Sequence, residues 1–461
     1  MTQPWAWAEM SGAAVWDRRC IRSLVRICEY RERTPLVSFS VACGNAVRQA
    51  ATRIFHHASS TVDGLLRGHF EETHRRCTRF LEEQPEMRLL VVQDTTTMDY
   101  TSHPATTGLG PINSGGHTRG LLVHAALAVP PEGPPLGLTH LSIWARDPET
   151  HGKSRDPNDC TDLPIELKES QKWLDGLWGT EATLPGVPLL LIGDREADMF
   201  ELFAAARQPT TELLVRAHHP RRVRVAQATD SQQHQKLPAV LAAASCLGSM
   251  EITVPRAPRR PERQATLALR SVDVWLLPPN TPHVRELAPV RVWVIDAREV
   301  DTTVPEPIHW ILVSTQPVPD AATASQMVRY YTRRWVIEEL HLVLKSGLRV
   351  ERLQMQDAHS LSNALAIHYV TAWRILHLRD AARRTPEGPA ERAVQPDEHA
   401  LLEAVEGKAL PTIRDVTRSI AHLAGFPRYP SAGEPGVRSL CAGLYRLAAM
   451  VEAWNLAKRH T

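Results

Sequence analysis

Two short apolar runs, LLVV at 89–92 and LLLIG at 189–193, constrain this 461-residue chain more than any other feature. Each is built from Leu, Val or Ile and bounded by polar residues, the pattern of a strand buried on both faces. Each leads to an aspartate, Asp94 after the first and Asp194 after the second. Open α/β sheets build their sites outside the C-terminal ends of such strands, so a carboxylate is well placed at either position. The plainer reading is a turn residue or helix cap, the more common fate of a lone Asp after a strand.

A third acid lies far downstream in YTRRWVIEELHLVLK, Tyr331 to Lys345. The stretch holds no Gly or Pro and follows a plausible start at Asp320, so it predicts a continuous helix. At about 100° per residue, Tyr331, Arg334, Glu338 and Lys345 fall within roughly a 60° arc of one face. That face offers a carboxylate between two cations and a phenol. Carboxylate oxygens hold hard cations, while Arg, Lys and Tyr grip phosphate oxygens, a combination suited to phosphodiester chemistry. Taken alone, the same charges also describe a solvated helix laced with i,i+3 and i,i+4 ion pairs.

The spacing Y-x2-R-x3-E-x6-K, together with DTT at 94–96 and DREAD at 194–198, resembles the bacterial insertion-sequence transposases of the DDE type. The branch resembled is the cut-and-paste one that releases its element through DNA hairpins. The resemblance implies that Asp94, Asp194 and Glu338 are catalytic and hold two Mg²⁺ or Mn²⁺ ions per site. It implies DNA contacts by Tyr331, Arg334 and Lys345, by Arg216 and Arg221 in VRAHHPRR (215–222), and by Arg22 and Arg53 near the start. Trp310, 21 residues before Tyr331, corresponds to the aromatic that stacks on a flipped base. KESQKW at 168–173 resembles a further family segment. Two positions depart: Leu342 stands where close relatives carry a DNA-contacting Lys, and His218 replaces another. The tail also lacks some expected tryptophans. These departures bear on DNA affinity and end preference more than on catalysis.

Taken in order, the chain predicts helices at 15–33, 43–59 and about 71–85, then the strand at 89–92 and strands at 121–129 and 136–145. A helix opened by Pro164 (163–178), the strand ending at Asp194, a helix and a strand at 212–218 follow. That order, with a late carboxylate helix, resembles the ribonuclease-H-like fold: α/β, a mixed-sheet catalytic core with a β-rich insertion, flanked by helical N- and C-terminal domains. The β-prone runs at 265–277, 290–297 and 309–315 place the insertion at about 219–318. The expected division is 1–70 for DNA-end binding, 71–382 for the catalytic core, and 383–461 for a Pro/Gly-rich linker and a helical dimerisation domain. One or two amphipathic helices after Gly347 are expected to close the core. The glycines of TTGLGPINSGGHTRG (106–120) are not followed by the helix and Lys-Ser/Thr pair of a nucleotide loop.

Charge distribution points the same way. The net charge is only +2, yet 216–270 carries ten Lys or Arg against three acids, the footprint of a surface that meets a polyanion. A disordered basic loop is its plainer reading. The seven cysteines are scattered, without a C-x-x-C pair, and read as reduced thiols. No apolar run is long enough to span a bilayer and the first residues do not read as a signal peptide, so the expected location is the cytoplasm. The expected partners are double-stranded DNA, as terminal inverted repeats and target, and a second copy in a synaptic homodimer. Two rivals stand beside this reading: a ribonuclease-H-like nuclease without strand transfer, and a non-catalytic DNA-binding inhibitor of transposition.

Overall fold

The computed structural model describes residues 5–36, 45–113, 115–149, 163–227, 234–254 and 261–458; Cys43 and Cys160 lie outside them. Contacts divide the chain into two units. The first comprises Met1–Met87, Thr95–Lys153 and Val336–Thr461, the second Arg88–Asp94 and Ser154–Trp335.

Among the described residues twelve strands form: β1 (Leu89–Asp99), β2 (Gly110–Pro111), β3 (Arg119–Val129), β4 (Gly137–Trp144), β5 (Leu189–Gly193), β6 (Thr211–Arg216), β7 (Arg222–Val225), β8 (Gln235–Lys236), β9 (Gly248–Val254), β10 (Arg263–Leu276), β11 (Val290–Glu299) and β12 (His309–Ser314). β1 is longer than its apolar run predicts, because Thr95–Thr97 and Met98 continue the extended backbone. Asp94 therefore lies within the strand and not at its end.

In the second unit the first half of β1 pairs in parallel with β5, Leu89 against Leu189 through Val92 against Ile192. β5 pairs in parallel with β6. All of these paired residues on β1 and β5 are buried, as expected of strands covered on both faces. Arg88 ties the three strands at their starting end, donating from Nη1 to the carbonyls of Leu189 (3.0 Å) and Thr210 (2.7 Å). The β-rich insertion continues this sheet by antiparallel pairing, in the order β6-β12-β11-β10-β7-β8, with β9 also on β10.

In the first unit, β2, β3 and the second half of β1 are neighbours, and β4 pairs antiparallel with β3. Parallel β1-β5-β6 pairing beside many antiparallel pairs makes the strands a mixed, mostly antiparallel set in an α/β chain, as expected.

Several helices differ from expectation. The one expected from 71 begins at Val62, where the Thr61 side chain accepts from the Gly64 amide. Pro164 opens only a 3-10 turn, Ile165–Leu167, and the helix proper is Gln171–Thr183. After Gly347 a single helix, Ala358–Arg384, is buried on nearly every side, so amphipathic patterning has no solvent face to report. The expected linker at 383–398 is folded, with Ala390, Ala393 and Val394 buried and the helix Pro396–Glu406 starting inside it.

The first unit buries several titratable groups. Glu9 accepts from His69 Nδ1 (2.6 Å) and Arg76 Nη1 (2.6 Å), while His69 Nε2 accepts from the Leu138 amide (3.0 Å). His69 is therefore the neutral tautomer, consistent with burial pushing its pKa down. Burial alone pushes the Glu9 carboxyl up, but Arg76 and His69 outweigh it and hold the pKa at about 2. Burial, aided by Lys345 for His341 and by Arg31 for His368, pushes both imidazoles down to about 3 from an ordinary 6.5. Groups with depressed folded pKa values contribute stability that is complete above their unfolded values and lost on acidification. Stability against thermal unfolding should thus fall from about pH 6.5 downward, each histidine costing about 2 kcal/mol by pH 5. A melting temperature unchanged between pH 7 and pH 5 would contradict the buried neutral histidines.

Candidate active site

The second unit assembles its polar residues where three parallel strands finish. Asp94 and Asp194 each stand two residues past the last paired positions of β1 and β5, Val92 and Ile192. Adjacent strands lie about 4.8 Å apart, so the two half-buried acids occupy matching levels on neighbouring strands. After Gly193 the chain turns sharply. Asp194 Oδ1 accepts from the Glu196 amide (2.8 Å) and caps the 3-10 turn Arg195–Ala197. Glycine is required at 193, where a Cβ would stand 2.4 Å from that of Ala197 and 3.3 Å from the Trp173 ring.

Next along the same edge is Arg216, the last residue of β6, paired with Leu312. β12 runs antiparallel to β6, so its beginning, His309 and Trp310, lies beside the end of β6, and Arg216 Nη2 donates to the His309 carbonyl (3.4 Å). Tyr331, only 5% exposed, completes the group from the helix Ala321–Thr332. Its ring stands edge-on to Trp310, with centroids 5.4 Å apart. Burial raises the Tyr331 pKa and Asp194 adds to it, against Arg334 and Arg216, which also hydrogen-bonds the phenol oxygen. Tyr331 stays protonated between a carboxylate and two guanidinium groups. Two acids, two arginines, a phenol and a half-buried indole thus share one sheet edge.

The predicted continuous helix is broken. It stops at Thr332, the amides of Arg333 and Arg334 bond to Tyr330 and Tyr331 in i to i−3 fashion, and a second helix runs Trp335–Leu342. Lys345 then lies in a π turn, Val343–Gly347, closed by the Leu348 amide on the Val343 carbonyl (2.7 Å). Tight winding before Glu338 and wide winding after it replace the uniform 100° step. Glu338 and Lys345, both half-buried, belong to the first unit, as do Leu342, 46% exposed, and the exposed Arg22 and Arg53.

Arg221, expected to contact DNA, has another task. Its side chain is 9% exposed, and Nε (2.9 Å) and Nη2 (2.7 Å) donate to Oδ1 of the buried Asp198. Asp198 Oδ2 also accepts from the amides of His218 (2.7 Å) and His219 (2.9 Å). Asp198 therefore holds the loop after β6, and Arg221 is its counterion. Glu196, also read as a supporting charge, pairs with Lys172 at 3.0 Å. Sequence alone could mark Asp198 and Arg221 as charges in family-like strings but not as partners.

Carboxylate oxygens at adjacent strand ends, without a thiol or imidazole among the expected ligands, are chemically suited to Mg²⁺ or Mn²⁺. Among the described residues no group of three His, Cys, Asp or Glu that could hold a metal ion is present. The β1–β5 register sets Asp94 and Asp194 at one level on neighbouring strands within one unit.

Residues 174–373 match the family model of the transposase DDE domain, and residues 370–461 match that of the Tn5 transposase dimerisation domain. Both models describe transposase domains, and together they run from residue 174 to the last residue given. The matched segments include Asp194 and Glu338, while Asp94 precedes them. A solved structure similar to this chain is the cryo-EM structure of the piggyBac transposase synaptic complex with hairpin DNA, at 10% identity and a TM-score of 0.32 over 80% of the chain. The chain spans about half of that protein, 54% of its length, and the likeness is too distant to assign residues. No helix among the described residues is long and apolar enough to cross a membrane.

Removing one member of a buried ion pair strands the other. Asp198→Ala should cost about 3 kcal/mol in chemical denaturation. A loss below about 1 kcal/mol would show that the pair does not hold the loop.

Proposed function

We propose that this chain is a transposase that carries out metal-dependent cut-and-paste excision of an insertion sequence through hairpin ends, followed by strand transfer into target DNA. Asp94, Asp194 and Glu338 are the acids that would hold two Mg²⁺ or Mn²⁺ ions. The chemistry such ions supply when bound is activation of the attacking oxygen and stabilisation of the leaving one. What carries the reading is the alignment of Asp94 with Asp194 at the end of the β1–β5 ladder, beside Arg216 and Tyr331.

The chain's own residues would then position the DNA. Arg216 and Arg334 present guanidinium groups to phosphate oxygens, and the protonated Tyr331 offers a neutral donor between them. Trp310, half-buried and braced edge-on by Tyr331, keeps a ring face for stacking on an extruded base. Lys345 serves as a further phosphate contact, and the exposed Arg22 and Arg53 suit end recognition by the N-terminal segment. In this division 1–70 binds ends, 71–382 carries the chemistry and 383–461 pairs two copies, the last supported by the Tn5 dimerisation match. The substrates are double-stranded terminal repeats and target DNA in the bacterial cytosol, handled by a homodimer.

Asp94→Asn, Asp194→Asn and Glu338→Gln should each lower cleavage of element-end DNA by at least about a thousandfold while end binding persists. Appreciable cleavage by all three would remove the metal-binding assignment. Joined products from wild-type protein are expected; cleavage alone would favour a nuclease, and binding alone an inhibitor. Trp310→Ala should keep the first nick and lose hairpin formation, and equal loss of both steps would speak against base stacking.

A further inference from the structure

Within the first unit a cavity of about 480 Å³ opens beside the π turn and is lined by Lys345, Arg349, Glu351, Arg352 and Arg438. Arg349 and Arg352 come from the turn around Val350–Arg352, and Arg438 from the start of the helix Val437–Lys458. Four cations face one acid, and Glu351 Oε1 already accepts from the Asp99 amide (3.1 Å). The three arginines are exposed, and among the described residues none of them makes a side-chain hydrogen bond or ion pair. Gathering cations in this way is unfavourable by mutual repulsion.

The backbone adds a second cost at the same place. Arg349 holds φ 51° and ψ 45°, a left-handed conformation that glycine adopts freely and a branched or long side chain does not. Strain and repulsion coincide on a residue whose side chain lines the cavity. The repulsion is relieved when a polyanion binds, because guanidinium forks match phosphate oxygens in pairs. The three arginines are exposed side chains, which suits a passing phosphodiester chain better than a captured free anion.

Resting on the DNA reading above, we propose that this cavity seats a backbone phosphate of bound DNA, with Arg349 and Arg438 as its guanidinium ligands and Lys345 and Arg352 beside them. Arg438 lies in the segment that matches the dimerisation domain. That module thereby grips DNA as well as a second copy.

The test uses the full chain and a fluorescein-labelled duplex of random sequence, titrated by anisotropy across a salt series. Arg349→Gly and Arg438→Gln should each weaken binding at least about fivefold and reduce the slope of log K against log salt by about one. Arg438→Lys should recover most of the slope. Arg349→Gly should also raise the melting temperature, because it relieves the left-handed backbone; weaker DNA binding by a more stable protein excludes misfolding as the cause. Unchanged affinity and slope in both variants would overturn the proposal. So would inorganic phosphate, at an ionic strength matched with chloride, displacing the duplex from wild type but not from the variants, which would make the cavity a free-anion site. Cleavage of element ends is measured separately: wild type that cleaves while the variants bind normally defeats this inference alone, and wild type that binds with the expected slope difference but never cleaves defeats only the catalytic reading.

Discussion

The parallel ladder between β1 and β5 sets the level at which this chain can place two carboxylates. Its register, Leu89 to Leu189 and Val92 to Ile192, is pinned at the start by Arg88 across three strands and along its length by full burial of the paired side chains. A slip of one residue would turn every side chain of the slipped strand to the opposite face and take Asp94 out of level with Asp194. β6 and the antiparallel β12 extend the same edge, and this is why Arg216 and Trp310, 94 positions apart in the sequence, stand beside the same tyrosine.

The sheet strands were the most legible part of the chain, because a doubly buried strand writes itself as an unbroken apolar run. Leu89–Val92, Leu189–Gly193 and the three runs of the insertion are all strands. What sequence could not supply was their pairing: nothing in His309–Ser314 says that it docks on β6 and makes the insertion an extension of the core sheet. Asp94 lies inside a longer strand, because the threonines that follow it are polar yet β-prone. Winding was the least legible feature. YTRRWVIEELHLVLK contains no helix breaker, and both its break at 333–334 and its π turn arise from the folded backbone.

Charged residues divide by burial into those that build and those that remain available. Asp198 and Arg221, or Glu9 with Arg76, are withdrawn from water and satisfied by one another. Such groups fix loops and helices, and their family-like strings are no guide to contact with a ligand. Arg216 and Arg334 are half-buried beside Tyr331, and Arg349, Arg352 and Arg438 are exposed around a cavity. A small net charge can therefore go with a locally basic surface such as the one around this cavity.

The proposed chemistry requires that Asp94, Asp194 and Glu338 share bound cations when DNA is engaged. Replacing Mg²⁺ by Fe²⁺ in the DNA-bound protein and generating hydroxyl radicals at the metal cuts the polypeptide next to its ligands. The account predicts backbone cuts clustered at 94, 194 and 338, suppressed together by excess Mg²⁺. Cuts at 94 and 194 without one near 338, or at none of the three, would contradict it.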